Sequence, residues 1–276
     1  MTDRARSPVV QTPRWALREG RGAWGLRAVP EEVAVAFTYD RATYAVMMAT
    51  PADLEDFATG FSLSETVIRD PAEIAGLEIV ETELGIDLRM DLEQRPADRL
   101  SQRRRHLAGP AGCGLCGIES LEQAMRPAPA VAASLRVDDA TIHAALAALA
   151  DAQAINRSTR AVHAAGFYRP GVGLVALRED VGRHNALDKL GGALARQGQS
   201  PAEGIVVISS RVSVEMVQKT AVMGAAVLVA VSAPTALAIR TAEAAGITLV
   251  AVARDDGYEV FTRAERIEPD PRAHVA

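Results

Sequence analysis

The chain has 276 residues, 49% of them hydrophobic and 24% charged, with 21 Gly and 14 Pro. This balance excludes collagen-like, coiled-coil and intrinsically disordered readings and suits one large or two ordinary globular domains. A formal charge of −5 with only 4% aromatic residues argues against a nucleic-acid partner, whether held by bulk charge or by base stacking. Two cysteines are too few for a disulfide framework, which makes a reducing compartment the default. The opening residues lack the apolar core of a signal peptide, and the most apolar run, 221–233, is too short to cross a bilayer. The expectation is a soluble cytoplasmic protein with no membrane partner.

In chain order, residues 1–14 read as a flexible polar tail without periodicity. The β-branched and aromatic runs 33–38 and 43–49, separated by turn residues around Asp40, predict a hairpin. Thr50-Pro51-Ala52-Asp53 reads as a helix start, with Thr50 as cap, Pro51 in the first helical position and Asp53 closing a capping box. Leu54, Phe57, Ala58 and Phe61 then supply a buried face at helical spacing. A second hairpin is predicted from 77–82 and 84–92, where Leu84, Ile86, Leu88 and Met90 alternate with polar residues. The stretch 95–107 is charged and weakly helical and ends in Arg103-Arg104-Arg105-His106; a loop of four glycines and a proline, 109–117, follows it. Residues 126–130 read as a stiff linker and 138–149 as a helix. Beyond residue 162, apolar strands at 171–177, 204–209, 226–231 and 247–253 alternate with helices at 183–196, 213–223 and 234–245. That pattern predicts a mainly parallel sheet covered on both faces. The expected division is a tail (1–14), a hairpin-and-helix part carrying both cysteines (15–130), and an α/β domain (131–276).

Ligands of open α/β sheets bind where strands end and helices begin. Three such junctions carry polar residues: 179–185 with Asp180, Arg183 and His184; 209–213 with Ser210 and Arg211; and 232–235 with Ser232. Free backbone N–H groups and arginines there suit phosphate. Asp180, Ser210 or Ser232 taken singly is an ordinary N-cap; three junctions on one sheet edge favour a ligand crevice. Neither a phosphate-binding G-x-x-x-x-G-K-[ST] run nor a dinucleotide G-x-G-x-x-G is found. His163 and His184, taken alone, read as satisfied core histidines, and Glu215 with Lys219 as a solvated i, i+4 pair. Arg254-Asp255-Asp256-Gly257 reads first as a turn and second as a ligand loop. Cys113 and Cys116 form a C-x-x-C in the glycine loop just after the basic run. Cationic neighbours lower a thiol pKa, so thiolate-based covalent chemistry is the leading reading. The competing readings are structural zinc, which needs two further ligands at plausible spacing, a thioredoxin-like redox pair, and inert structural cysteines.

The string Glu179-Asp180-Val181-Gly182-Arg183-His184-Asn185-Ala186-Leu187-Asp188-Lys189-Leu190 resembles the hallmark of the FdhD family. Four further stretches agree in order: Thr50 to Glu55 with Gly60 to Glu65, Gly112 to Glu119, Ser209 to Arg211 with Glu215 to Lys219, and Ala230 to Thr235. The resemblance implies a three-layer α/β/α C-terminal domain similar in fold to cytidine deaminases, in a homodimer. It also implies a sulfur carrier, an accessory sulfurtransferase required for formate dehydrogenase activity. A cysteine desulfurase would load Cys113 as a persulfide, with Cys116 nearby. The sulfur would pass to the molybdenum cofactor, a bis(molybdopterin guanine dinucleotide), before insertion into formate dehydrogenase. The cofactor-contacting segment would be Val252, Ala253, Arg254, Asp255, Asp256 and Gly257, and a guanine nucleotide such as GDP would mimic the cofactor. Pyrophosphate groups would suit Arg183, Arg211 and Arg254, and Asp180, Asp188 or Asp255 could meet guanine N–H groups. Deaminase chemistry is not expected, since the zinc ligands and H-x-E glutamate it needs are absent from the sequence. The alternative is a cofactor-binding chaperone without sulfur transfer.

Overall fold

The structure is a computed structural model describing residues 6–94, 96–97, 126–132, 134–254 and 256–268. The two cysteines and Asp255 lie outside these residues.

The chain begins with a two-stranded ribbon, β1 (Val9–Arg18) and β2 (Arg21–Pro30). The turn between them, Glu19-Gly20, has φ of 50° and 77°, the left-handed pair that matches strand twist in a tight hairpin. The segment read as a flexible tail is therefore a strand from Val9 onward. Its apolar alternation at Trp15 and Leu17 is masked in the sequence by Pro13 and by the flanking Arg14 and Arg18.

Next comes a four-stranded sheet ordered β4-β3-β6-β5, built from the hairpins β3 (Val33–Tyr39)/β4 (Ala42–Ala49) and β5 (Ile74–Glu81)/β6 (Gly85–Leu92). Both hairpins were legible from alternation, and parallel pairing of β3 with β6 joins them. Ile86, Leu88 and Met90 are buried as their spacing requires, whereas Leu84 falls in the turn and is 91% exposed. Helix α1 (Leu54–Ser64) covers this sheet, with Phe57 and Phe61 packed on Phe37. The residue before α1 is Asp53 in the left-handed conformation, and it makes no side-chain cap bond. The capping box is absent because Thr50 is drawn into a tertiary network described below.

Residues 126–132 return the chain to the C-terminal body. They do so as an anchored segment, not a free linker. Arg126 donates to the Ser64 carbonyl, Gln218 donates to the Arg126 carbonyl, and Val131 N–H bonds to the Ala245 carbonyl. A two-residue strand β7 (Val137–Asp138), α2 (Asp139–Ala152) and α3 (Ala154–Thr159) follow, the Asp138 carboxylate capping α2 through Thr141 N–H. The main sheet has six strands in the order β13-β12-β11-β10-β8-β9. They are β8 (His163–Arg169), β9 (Gly173–Asp180), β10 (Ile205–Ile208), β11 (Val227–Ala230), β12 (Thr248–Arg254) and β13 (Gly257–Val260). Only β10-β11 and β11-β12 pair in parallel, and the other three pairings are antiparallel. The expected mainly parallel sheet is therefore a mixed one. β8 was missed, and the short turn between β8 and β9 forces a hairpin where a crossover was expected.

Helices α4 (Arg183–Arg196), α5 (Val214–Met223) and α6 (Ala236–Ala245) cover one face, burying Leu187, Leu190 and Met216 with Val206, Ile208 and Leu228. Helix α2 covers the other, burying Ile142, Ala145 and Leu149 with Ile205, Val207 and Val229. Alternate residues of β10 thus serve opposite faces, as a strand buried on both sides requires. The C-terminal body is an α/β/α sandwich. Its helix α4 packs directly on α1: a Cβ at Gly60 would lie 1.7 Å from the Asp188 carbonyl oxygen, and one at Gly192 would lie 1.9 Å from that of Asp56. No helix among the described residues is long and apolar enough to cross a membrane.

Candidate functional site

Strands β9, β10, β11 and β12 all run toward one end of the main sheet, and β8 begins there. Backbone hydrogen bonds hold the loops at that end side by side. Ser209 N–H bonds to the Ala164 carbonyl, Val231 N–H to that of Ile208, Val212 N–H to that of Ala233, and Val252 N–H to that of Ser232. The three predicted junctions therefore lie on one edge, together with the end of β12. Helices α4, α5 and α6 start from this edge, presenting the N–H-rich ends that attract anions.

The residues capping these helices are Gly182, Ser213 and Thr235, not Asp180, Ser210 and Ser232. Thr235 caps conventionally, its hydroxyl accepting from Ala238 N–H. The Ser213 hydroxyl and the Arg183 Nε are buried atoms without a hydrogen-bond partner among the described residues. A buried donor left unpaired is costly, which sets these two atoms apart from the other polar groups of the edge.

Asp180 is fully buried and saturated. It accepts from Lys189 Nζ at 2.7 Å, Thr50 N–H at 3.0 Å, Gly182 N–H at 2.7 Å and Asn185 Nδ2 at 2.9 Å. Lys189, also fully buried, donates to the Thr50 carbonyl at 2.8 Å and lies 5.2 Å from the Phe57 ring centre. The Thr50 hydroxyl in turn accepts from Val181 N–H. Asp180 thus shapes the turn that aims Arg183 and offers no free lone pair to guanine. Asp188 is similarly engaged, taking Lys219 Nζ on both oxygens at 2.7 and 2.8 Å. Lys219 also donates to Ser64 Oγ, so the expected Glu215–Lys219 pair gives way to tertiary partners. Glu215 instead meets His184, with Oε2 2.7 Å from Nε2, and this bond holds its carboxyl below the usual carboxylate range.

His163 sits at the start of β8 in register with Asp180. Burial pushes its pKa down, and the neighbouring Arg183 and His184 push the same way against the pull of Asp180. Ser210 is buried and donates to the Arg211 carbonyl, while the Arg211 side chain is exposed. Ser232 is half-buried, Arg254 and Asp256 are exposed, and Ala253 is buried in the sheet. Val252, at the β12 end, has φ of 53°, a strained conformation for a β-branched residue and of the kind found around ligand sites. It accompanies a register shift between Ala251 and Arg254, just before Gly257 (φ 146°) opens β13. Sequence reasoning gave no individual site role to Ser213, Glu215, Lys189 or Thr50, naming them only within a junction, a solvated pair, the family string and a helix cap. Only Ser213, directly before an apolar-periodic run, carried a local signal.

The matching family model is described as the FdhD/NarQ family and spans residues 30–268. The chain belongs to the FdhD/NarQ family. Curated relatives named sulfur carrier protein FdhD include one from Agrobacterium fabrum, 61% identical over 92% of this chain and 94% of its own. Another, from Cupriavidus necator, is 49% identical over 92% of this chain and 88% of its own. A crystal structure from Desulfotalea psychrophila, described as a formate dehydrogenase accessory protein, aligns with TM-score 0.74 and 25% identity, covering 95% of this chain and 100% of that one. In this FdhD/NarQ chain the strand-end edge is the described part of the candidate site. Among the described residues no cluster of His, Cys, Asp and Glu could hold a metal ion.

Proposed function

We propose that the chain is a sulfur carrier serving formate dehydrogenase, acting in the cytoplasm as an accessory sulfurtransferase. It would accept sulfane sulfur from a cysteine desulfurase on Cys113 and deliver it to the molybdenum cofactor. The observation that carries this reading is the strand-end edge, where three helices start and the buried Arg183 Nε has no hydrogen-bond partner among the described residues, in a chain that also bears a C-x-x-C glycine loop. The cofactor is treated as cargo. Its pyrophosphates suit Arg183, Ser213 and the exposed Arg211 and Arg254. With Asp180 and Asp188 both held by lysines, guanine recognition would fall to the remaining candidate, Asp255, which lies outside the described residues. In the loading step the Cys113 thiolate attacks the outer sulfur of the desulfurase persulfide. The donor S–S bond breaks, the donor leaves as thiolate, and no external oxidant is needed.

Incubation with a desulfurase and cysteine should add one sulfur atom to Cys113, seen by intact mass and peptide mapping. Cys113→Ala should lose both the added mass and the activation of formate dehydrogenase. Full activation by Cys113→Ala would sink the proposal and favour a cofactor chaperone without sulfur transfer. The edge supports that second reading on its own terms, and under it Arg183→Ala alone would abolish function.

A further inference from the structure

The β1–β2 ribbon presents a surface that is neither packed on a core nor part of the strand-end edge. Residues directly opposite across an antiparallel pair share a face. Pairing of Pro13 with Leu26, Trp15 with Trp24 and Leu17 with Gly22 sets these six on one side, and none of them is charged. They stand in solvent: Trp15 is 54%, Leu17 62%, Trp24 78% and Leu26 65% exposed. A Cβ at Gly22 would lie 2.1 Å from Trp15 Cζ2, so the glycine lets that indole lie flat across the strand. The opposite side carries Arg14, Arg18, Arg21 and Arg27. Arg27 ties that side to the body through the Thr159 carbonyl, which leaves the apolar side facing outward.

We propose that this side of the ribbon rests on an anionic lipid surface as a reversible, peripheral contact. The two tryptophans and two leucines expose about 500 Å² of apolar surface, comparable to the largest patch on a typical soluble monomer and of a size that is often functional. Tryptophan and leucine on one side with arginines on the other is the composition of elements that lie in the plane of a membrane interface. Their apolar side sinks to the headgroup boundary while the cations stay among the headgroups. Charge selects the lipid. Four arginines against Glu19 give the ribbon +3 in a chain of −5, which leaves −8 on the rest. A negative surface therefore attracts the ribbon and repels the remainder, so the chain approaches ribbon first. A second copy of the same side is a poorer cover. Apart from Gln11 at its margin, this side offers no side-chain acceptor. Dry packing would leave indole N–H groups unpaired, whereas lipid carbonyl and phosphate oxygens accept them. The surface is assembled from two strands of ten residues each, so it lies on a bilayer without spanning it.

Trp15 and Trp24 are the only tryptophans in the chain, so indole fluorescence reports this surface directly. The full-length protein is mixed with vesicles of phosphatidylglycerol and phosphatidylcholine, and separately with vesicles of phosphatidylcholine alone. With the anionic vesicles it should co-sediment, its emission should shift blue and become shielded from acrylamide, and brominated acyl chains should quench it. Binding should weaken as salt is raised. Arg18→Gln combined with Arg21→Gln should lower the affinity about 25-fold, at about fivefold for each arginine near a charged membrane. Leu26→Glu keeps both reporters and lies outside all three cores. It should lower the affinity about tenfold or more, as losing the burial of one leucine does, with the thermal midpoint retained. Four results overturn the inference: tryptophans already shielded from acrylamide in the protein alone, which marks a second copy as the cover; no binding to the anionic vesicles; equal binding to both kinds of vesicle; and binding that Leu26→Glu leaves intact. The wild-type measurements decide even if a variant fails to fold.

Discussion

Asp180 and Lys189 form an ion pair with no water contact, and each also answers Thr50. Removing one member leaves the other charged and buried. Asp180→Ala or Lys189→Met should therefore cost about 3–5 kcal/mol in denaturant unfolding. His163 gives a pH signature of definite sign. Its folded pKa lies below the ordinary value of 6.5, so the unfolded chain binds the proton more readily. Its contribution is intact above pH 6.5 and is lost as pH falls toward the lowered value. A His163→Gln protein should lose less thermal stability than wild type between about pH 6.5 and 5. Glu215 acts in the same direction at lower pH. Its depressed pKa contributes stability above the ordinary 4.5, lost as pH falls through the lowered value. On the proposed cofactor-carrying function, Arg183→Met should weaken binding of GDP or pyrophosphate by tenfold or more in calorimetry, since one charge-assisted hydrogen bond is worth about 1.5–3 kcal/mol.

At the scale of elements, the crossing of α1 and α4 depends on two missing side chains. Gly192→Ala would push a methyl group into the Asp56 carbonyl, where the obstacle is backbone and cannot rotate away. Overpacking of this kind costs about 1–3 kcal/mol, and the upper end is expected here, read as a lowered denaturant midpoint. The two hairpins of the four-stranded sheet and helices α1, α2 and α4 to α6 were legible in the sequence because their periodicity reports burial directly. The first ribbon was not, because its apolar face meets no core, and alternation without burial looks like composition. The sheet order was misread for a related reason. Apolar strands between helices look alike whether they run parallel or turn back, and only the short 169–173 turn distinguishes β8 and β9. At the site, the junctions could be named from sequence because strand ends sit next to helix starts in the chain. Their partners could not. Thr50 reaches Asp180 across 130 residues, and Glu215 and Lys219 abandon each other for His184 and Asp188.

For the whole molecule, these contacts make one cooperative body out of two sheets. The four-stranded sheet and the sandwich each have a core, yet α1 and α4 interlock and Thr50 completes the turn at Asp180. Calorimetry should therefore show a single unfolding transition, and Asp180→Ala should shift that transition as a whole.

The network around Asp180 also sets a schedule. Thr50 leaves the ribosome early, Asp180 and Lys189 much later, and the Val252 bend in β12 comes almost at the end. The cysteine loop is synthesised well before any of the last three. A nascent chain halted midway would hold its thiols but not the strand-end edge, and only the nearly finished chain brings both into being.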